Sequence, residues 1–379
     1  MECPTYFEDF LAKVRLTDRQ AEDLRTGHTT LVERLKADRE LEPAVVSIFL
    51  QGSYRRGTIV RPHGEKKSDV DIVVVTRLSH EDHTPAQAIA RFVPFVNKYY
   101  PGKYVLQGRS IGIELSYVSL DLVVTAAPSE QQEGILKSAS VKNQYSLEDA
   151  SDWRLSESWL PENERKSWNY KLVEKVLNEA EWQAEPLLIP DREANIWAPT
   201  HPLEQMRWTR DKNKRCNGHF INVVKALKWW QRTHNSLPKH PKGYPFERII
   251  AECCPDNIET VAEGITEALE DIRDRFAEDV HLGRTPELKD HGTGQSVLKR
   301  ISPADFSTFY SEIKKAASVA RAALNSEELY ESAKLWRELL GDNFELPPEP
   351  KKGSGGSTIS GGFVPPSSPA TPKDSGRYG

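Results

Sequence analysis

Hydrophobic positions change their period along the chain, and the changes mark out its elements. Between Asp18 and Glu40, Ala21, Leu24, Leu31 and Leu35 recur at helical spacing, which predicts one long amphipathic helix. Val45 to Leu50 is a short apolar run that ends at Gly52-Ser53, so a strand entering a turn is expected there. Strand, turn, short helix and strand fit residues 45–76, a helix fits Pro85 to Tyr99, and Tyr104 to Val124 reads as two strands joined around Gly108. After Ala127 the pattern turns helical and rich in tryptophan. Met206 to His234 is the clearest helix, with further ones at Phe246 to Cys253, Ile258 to Phe276, Pro303 to Leu324 and Ser326 to Leu340. These elements predict an α/β lobe over residues 1–127, a mostly helical lobe over 128–346 and a cleft between them. From Pro347 to Gly379, 20 of 33 residues are proline, glycine or serine, too little apolar surface to offset the entropy of ordering, and a disordered tail is expected at 347–379.

Three acids stand out against the apolar strands. Asp69 and Asp71 lie two apart in SDVDIVVV, and a strand turns residues i and i+2 to the same face. Asp121 interrupts Leu120, Leu122, Val123 and Val124, where an ionised group is costly unless it is paired or bound to metal, although the exposed face of an edge strand would also accept it. Convergent carboxylates repel one another. Hard oxygen ligands of this kind suit Mg²⁺ shared with substrate phosphates, and two such ions stabilise both the attacking and the leaving oxygen of a phosphoryl displacement. Gly52-Ser53, between a strand and a short helix, offers backbone N–H groups and a hydroxyl to a triphosphate; by itself the pair would equally be an ordinary turn.

Composition narrows the class. With 379 residues, 38% hydrophobic and 28% charged, the chain has room for two lobes and a real core. No apolar run approaches a membrane span, and the opening MECPTYFEDFLAKV lacks the pattern of a secretory leader, so a cytoplasmic location is expected. The net charge of −5 argues against bulk nucleic acid as the main partner and leaves nucleotides open. Cys3, Cys216, Cys253 and Cys254 are too few and too irregular for a disulfide framework, and no second pair accompanies Cys253-Cys254 at zinc-ligand spacing. On the helix predicted for 206–234, Lys225 and Lys228 share a face and one of them could reach a triphosphate from the second lobe; a solvated helix face is the plainer account. Trp197, in the polar stretch DREANIWAPTHP, is the tryptophan placed to stack on a base, the others reading as core.

In combination, LQGSYRRGT, the sixteen positions from Ser53 to Asp69, SDVDIVVV, LDLVV and INVVKALKWW resemble a bacterial cGAS/DncV-like nucleotidyltransferase of CBASS anti-phage defence. The likeness spans roughly residues 1 to 345, and PDREANIW, THPL and HPKGYP look most like its clade D. It implies a polymerase-β-like lobe with a mixed sheet and a cyclic oligonucleotide synthase using two Mg²⁺ ions. Asp69, Asp71 and Asp121 match the metal-binding acids, Asp121 also helping to activate the attacking 3′-hydroxyl. Gln51, Gly52 and Ser53 match the loop on the donor triphosphate, Lys228 the helix lysine on phosphate, and Lys225 a position that is often basic. ATP and GTP are implied as substrates, with an adenosine-containing cyclic di- or trinucleotide such as cyclic AMP-AMP-GMP as the product read by an effector. Also implied is an E1/E2-like partner that conjugates the chain through Gly379. No DNA activator is expected, since the zinc-thumb pattern of animal cGAS is missing. Two other functions remain compatible: a nucleotidyltransferase acting on tRNA or a small molecule, against which the acidic charge counts, and a non-catalytic scaffold, which loss of an acid would have marked.

Overall fold

The structure is a computed structural model and describes residues 1–64, 66–128, 186–234, 236–238 and 240–349. Most of the expected tail and its Gly379, and residues 129–185 of the expected helical lobe, lie outside the described residues.

Five strands form one mixed sheet in the order β1-β2-β5-β4-β3: β1 (Val45–Gln51), β2 (Ser68–Thr76), β3 (Tyr104–Leu106), β4 (Ile111–Glu114) and β5 (Val118–Thr125). β2 and β5 are parallel neighbours, and the other pairings are antiparallel. The 104–124 stretch is therefore three strands rather than the two expected, because Ser116 and Tyr117 turn the chain between β4 and β5.

Alternation along the two central strands assigns the faces. Val70, Ile72 and Val74 of β2 and Leu120, Leu122 and Val124 of β5 pack with Leu24, Leu31 and Leu35 of α2 (Asp18–Ala37). A capping box on Thr17 starts that helix: its side chain accepts from the Gln20 N–H while the Gln20 side chain accepts from the Thr17 N–H. Phe92, Phe95 and Val96, at and within α5 (Val93–Tyr99), complete this core; α4 (Pro85–Ala90) precedes α5, so the single helix expected at 85–99 is two.

The opposite face carries Phe49, Val73, Val75 and Val123, covered by Leu187 of β6 (Leu187–Asp191) and by Leu203 and Met206 of α6 (Pro202–Arg215). β6 pairs with β7 (Ile196–Thr200) in a hairpin that the helical pattern after Ala127 did not predict. The helix expected at 206–234 is broken in two, α6 and α7 (Phe220–Thr233), where Asn217 and Gly218 take left-handed backbone with φ 51° and 82°.

The helical core gathers α7, α8 (Tyr244–Cys253), α9 (Val261–Arg275), α11 (Pro303–Asn325) and α12 (Leu329–Leu340), with the short α10 (Ala277–His281) between α9 and α11. By packing, α1 (Pro4–Val14) belongs here: Phe7 meets Trp336 and Phe344 edge to face at 5.0 and 5.1 Å. All four cysteines are buried and unbridged. Among the described residues, no helix is long and apolar enough to cross a membrane.

Candidate active site

The alternation that sends Val70, Ile72 and Val74 into the α2 core turns Asp69 and Asp71 to the other face of the sheet. In the parallel ladder Asp71 pairs with Asp121, and Asp69 with Ser119. The acids thus stand on adjacent central strands, at the end where β1 runs into the Gly52 turn. Gln51 pairs with Asp71 across the ladder, and Gly52, with φ 74°, opens the four-residue helix α3 (Gly52–Arg55). A Cβ on Gly52 would stand 1.7 Å from Oδ2 of Asp71, so only glycine brings the turn this close to the acid.

Crowding shows in the acidities. Burial first, then the charges of Asp69 and Asp121, push the Asp71 carboxyl up to about 7. Burial and Asp69 push Asp121 up to about 6, against a hydrogen bond that its Oδ1 accepts from Gln107 Nε2 at 3.2 Å. Gln107 is held in turn by Ser110, whose hydroxyl donates to Gln107 Oε1 at 2.9 Å. Carboxylates crowded enough to hold their protons are relieved when a divalent cation takes the protons' place, and their hard oxygens suit such an ion. Among the described residues no group of three or more His, Cys, Asp or Glu side chains is gathered closely enough to hold a metal ion alone. Oxygens of a bound triphosphate would therefore have to complete the set, as Mg²⁺ sites commonly require.

These groups open into a cleft of about 1450 Å³ lined by Gln51, Gly52, Ser53, Asp69 and Asp71 from the sheet side and by Lys228 and residues of α8 from the helical side. A pocket for one drug-sized ligand is roughly 300–1,000 Å³, so the cleft has room for more than one nucleotide. Among the described residues, nine lysines and arginines line it against five carboxylates. Asp121 sits behind Gln107 rather than on the lining, and Lys225 is buried in α7 and also off the lining.

Lys228 lines the cleft, as the phosphate-contacting reading requires, and is buried rather than on a solvated helix face. Its ammonium donates to Oε1 of Glu247 at 2.7 Å, and burial takes its pKa below the ordinary lysine value despite that partner. Arg56 Nε and Thr58 Oγ1 donate to the other oxygen, Oε2, at 3.1 and 2.9 Å. Burial opposes the charge on Glu247, but Arg56 and Lys228 prevail and hold it down at about 2. Arg232, one turn beyond Lys228, donates to the carbonyls of Val60 and Arg61 at 3.1 and 2.8 Å; burial lowers its pKa against the pull of Asp69. At the rim, Arg109 from the β3–β4 turn and Arg300 both pair with Asp191 of β6. Sequence reasoning missed Arg56, Glu247, Arg232 and Asp191. Arg56 alone had a local signal, its place in the run after Gly52. Trp197 lies off the lining, and its indole N–H donates to the His83 carbonyl at 2.9 Å.

Residues 1–144 match the Second Messenger Oligonucleotide or Dinucleotide Synthetase domain. Over the full length of both chains, the protein is 47% identical to the cyclic AMP-AMP-GMP synthase of Enterobacter hormaechei and 46% identical to a probable cyclic AMP-AMP-GMP nucleotide synthase of Salmonella paratyphi B. Its fold matches the GTP complex of the Bradyrhizobium diazoefficiens CD-NTase CdnG with a TM-score of 0.62 over 89% of this chain and 95% of that one, at 11% identity.

Proposed function

The chain belongs to the bacterial cGAS/DncV-like nucleotidyltransferases, the second messenger oligonucleotide synthetase family, and we propose that it joins ATP and GTP into cyclic AMP-AMP-GMP. It is a cyclic oligonucleotide synthase. The observation that carries the choice of product is identity of 47% and 46%, over whole chains, to two relatives that are both named for that trinucleotide.

In this reading Asp69, Asp71 and Asp121 would hold the metal beside the Gly52 turn, and Asp121, across the ladder from Asp71, would also receive the proton of the attacking 3′-hydroxyl. Two Mg²⁺ ions, when bound, would neutralise charge on the attacking and leaving oxygens. Gln51, Gly52 and Ser53 seat the donor triphosphate, and Arg56 from the sheet side with Lys228 and Arg232 from the helical side offset its charge before pyrophosphate leaves. Lys225 lies one turn before Lys228 on the same helix, buried and off the lining of the cleft. The product would act through an effector in anti-phage signalling. The resemblance to clade D further supports conjugation at Gly379 by an E1/E2-like partner, which a Gly379→Glu chain that is still conjugated would rule out.

The test of synthesis is direct. Purified protein with Mg²⁺, ATP and GTP should yield a cyclic trinucleotide with the mass of two AMP units and one GMP unit, and EDTA should stop it. A product made only of pyrimidines, or product formed without GTP at the same rate, would overturn the assignment.

A further inference from the structure

The floor of the cleft contains a buried carboxylate to which the steps above give no role. Glu247 is 5% exposed, and the two cations that it binds, Arg56 and Lys228, are each 7% exposed. The carboxylate spans both halves of the molecule. Through Oε1 it accepts from Lys228, on α7 of the helical core. Through Oε2 it accepts from Arg56 and Thr58, which directly follow α3. Thr58 then closes on the turn itself, its N–H donating to the Ser53 carbonyl at 2.9 Å. Glu247 therefore reaches the Gly52–Ser53 turn through one residue and the helix lysine directly.

Charge explains why a carboxylate belongs there. Two like charges buried side by side repel, and a buried lysine with no counter-ion tends to give up its proton. With Glu247 in place both can stay charged, and the trio still carries one net positive charge at a wall lined by Arg56 and Lys228. Arg56 also lies over the Tyr244 ring at 5.0 Å, which limits where its guanidinium can go.

We propose that Glu247 is a positioning residue for the donor nucleotide: it holds Arg56 and Lys228, both charged, against the Gly52–Ser53 turn so that the pair can receive the triphosphate. This rests on the reading of the cleft as a nucleoside triphosphate site, so the readout is ATP binding rather than product. In calorimetry with Ca²⁺ and ATP, Glu247→Gln should bind ATP about tenfold or more weakly, the scale of a lost charged contact. Its KM for ATP should rise by a similar factor while kcat changes by less. Glu247→Asp, which keeps the charge, should recover most of the loss. A folded Glu247→Gln protein that binds ATP within twofold of the parent overturns the proposal, and so does Glu247→Asp as weak as Glu247→Gln. If Glu247→Gln does not fold, the double variant Glu247→Gln with Lys228→Met leaves the same net charge buried and serves instead. Parental ATP affinity in that double variant also overturns the proposal. Failure of the functional reading would look different: the parent protein would bind ATP and form no cyclic product.

Discussion

Burial, together with the charges of Asp69 and Asp121, lifts the Asp71 carboxyl to about 7, above the ordinary aspartate value near 4. A carboxyl whose pKa is raised by folding binds its proton more tightly in the folded state. Ionising it therefore costs stability progressively from about pH 4 upward, and the full cost is present above about pH 7. In EDTA at pH 8, Asp71→Asn should melt higher than the parent by roughly 2–4 °C for each 1 kcal/mol of relieved repulsion. The gain should shrink towards pH 4, and Mg²⁺ with ATP should stabilise the parent more than the variant. A lower melting temperature for Asp71→Asn at pH 8 would mean that the acids store no repulsion. The pairing of Asp69 with Asp71 was legible in the sequence because strand alternation is local and has period two. Glu247 was not legible: its contact with Arg56 spans 191 positions, and no local pattern reports a partner at that distance.

Elements were legible where period and capping agreed, as in α2, and were misread where proline or a left-handed residue intervened. Pro190 and Pro199 sit inside β6 and β7, and proline within a run argues against a strand except at a sheet edge, which is where a two-stranded hairpin places it. The break between α6 and α7 had a local signal in Asn217-Gly218, overridden by apolar spacing on either side. Gly112 on β4 shows how an element can act on the site through a neighbour, Gln107 of the β3–β4 turn. Gly112 pairs with Asp121 on the next strand, and a Cβ on Gly112 would lie 2.3 Å from the Gln107 Nε2 that donates to Asp121. Since that atom is the tip of a flexible side chain, Gly112→Ala should displace Gln107 and leave the sheet intact. Loss of such an outer partner typically costs about 10–100-fold in activity or metal affinity. Steady-state rates should therefore fall by about that factor with a melting curve close to the parent's, and unchanged rates would show that Asp121 needs no help from Gln107.

At the scale of the whole molecule, a chain of net charge −5 presents a cleft whose described lining carries nine lysines and arginines against five carboxylates, so the excess acidity lies elsewhere and small anions are drawn to one place. The two walls of that cleft meet at Asp191. Its carboxylate is fully buried, accepts from Arg109 Nε and Nη2 at 3.1 and 3.0 Å, from the Ala194 N–H at 3.1 Å, and from Arg300. Burial works against the charge, and these donors outweigh it, so its pKa lies below the ordinary aspartate value. A carboxyl depressed by folding contributes stability that is present above the unfolded value near 4 and is lost as pH falls through the folded one. Asp191→Asn leaves two arginines without their counter-ion. Breaking a buried pair from one side costs about 3–5 kcal/mol, and the low end applies because Arg300 is half exposed. At pH 7 the variant should melt several degrees below the parent, and the gap should close when both are measured well below pH 4, where the parent carboxyl is protonated as well. The two arginines come from opposite walls, so the variant should also raise KM for ATP and GTP together. Equal melting temperatures at pH 7 would show that the pairs at Asp191 add nothing to holding the two halves together.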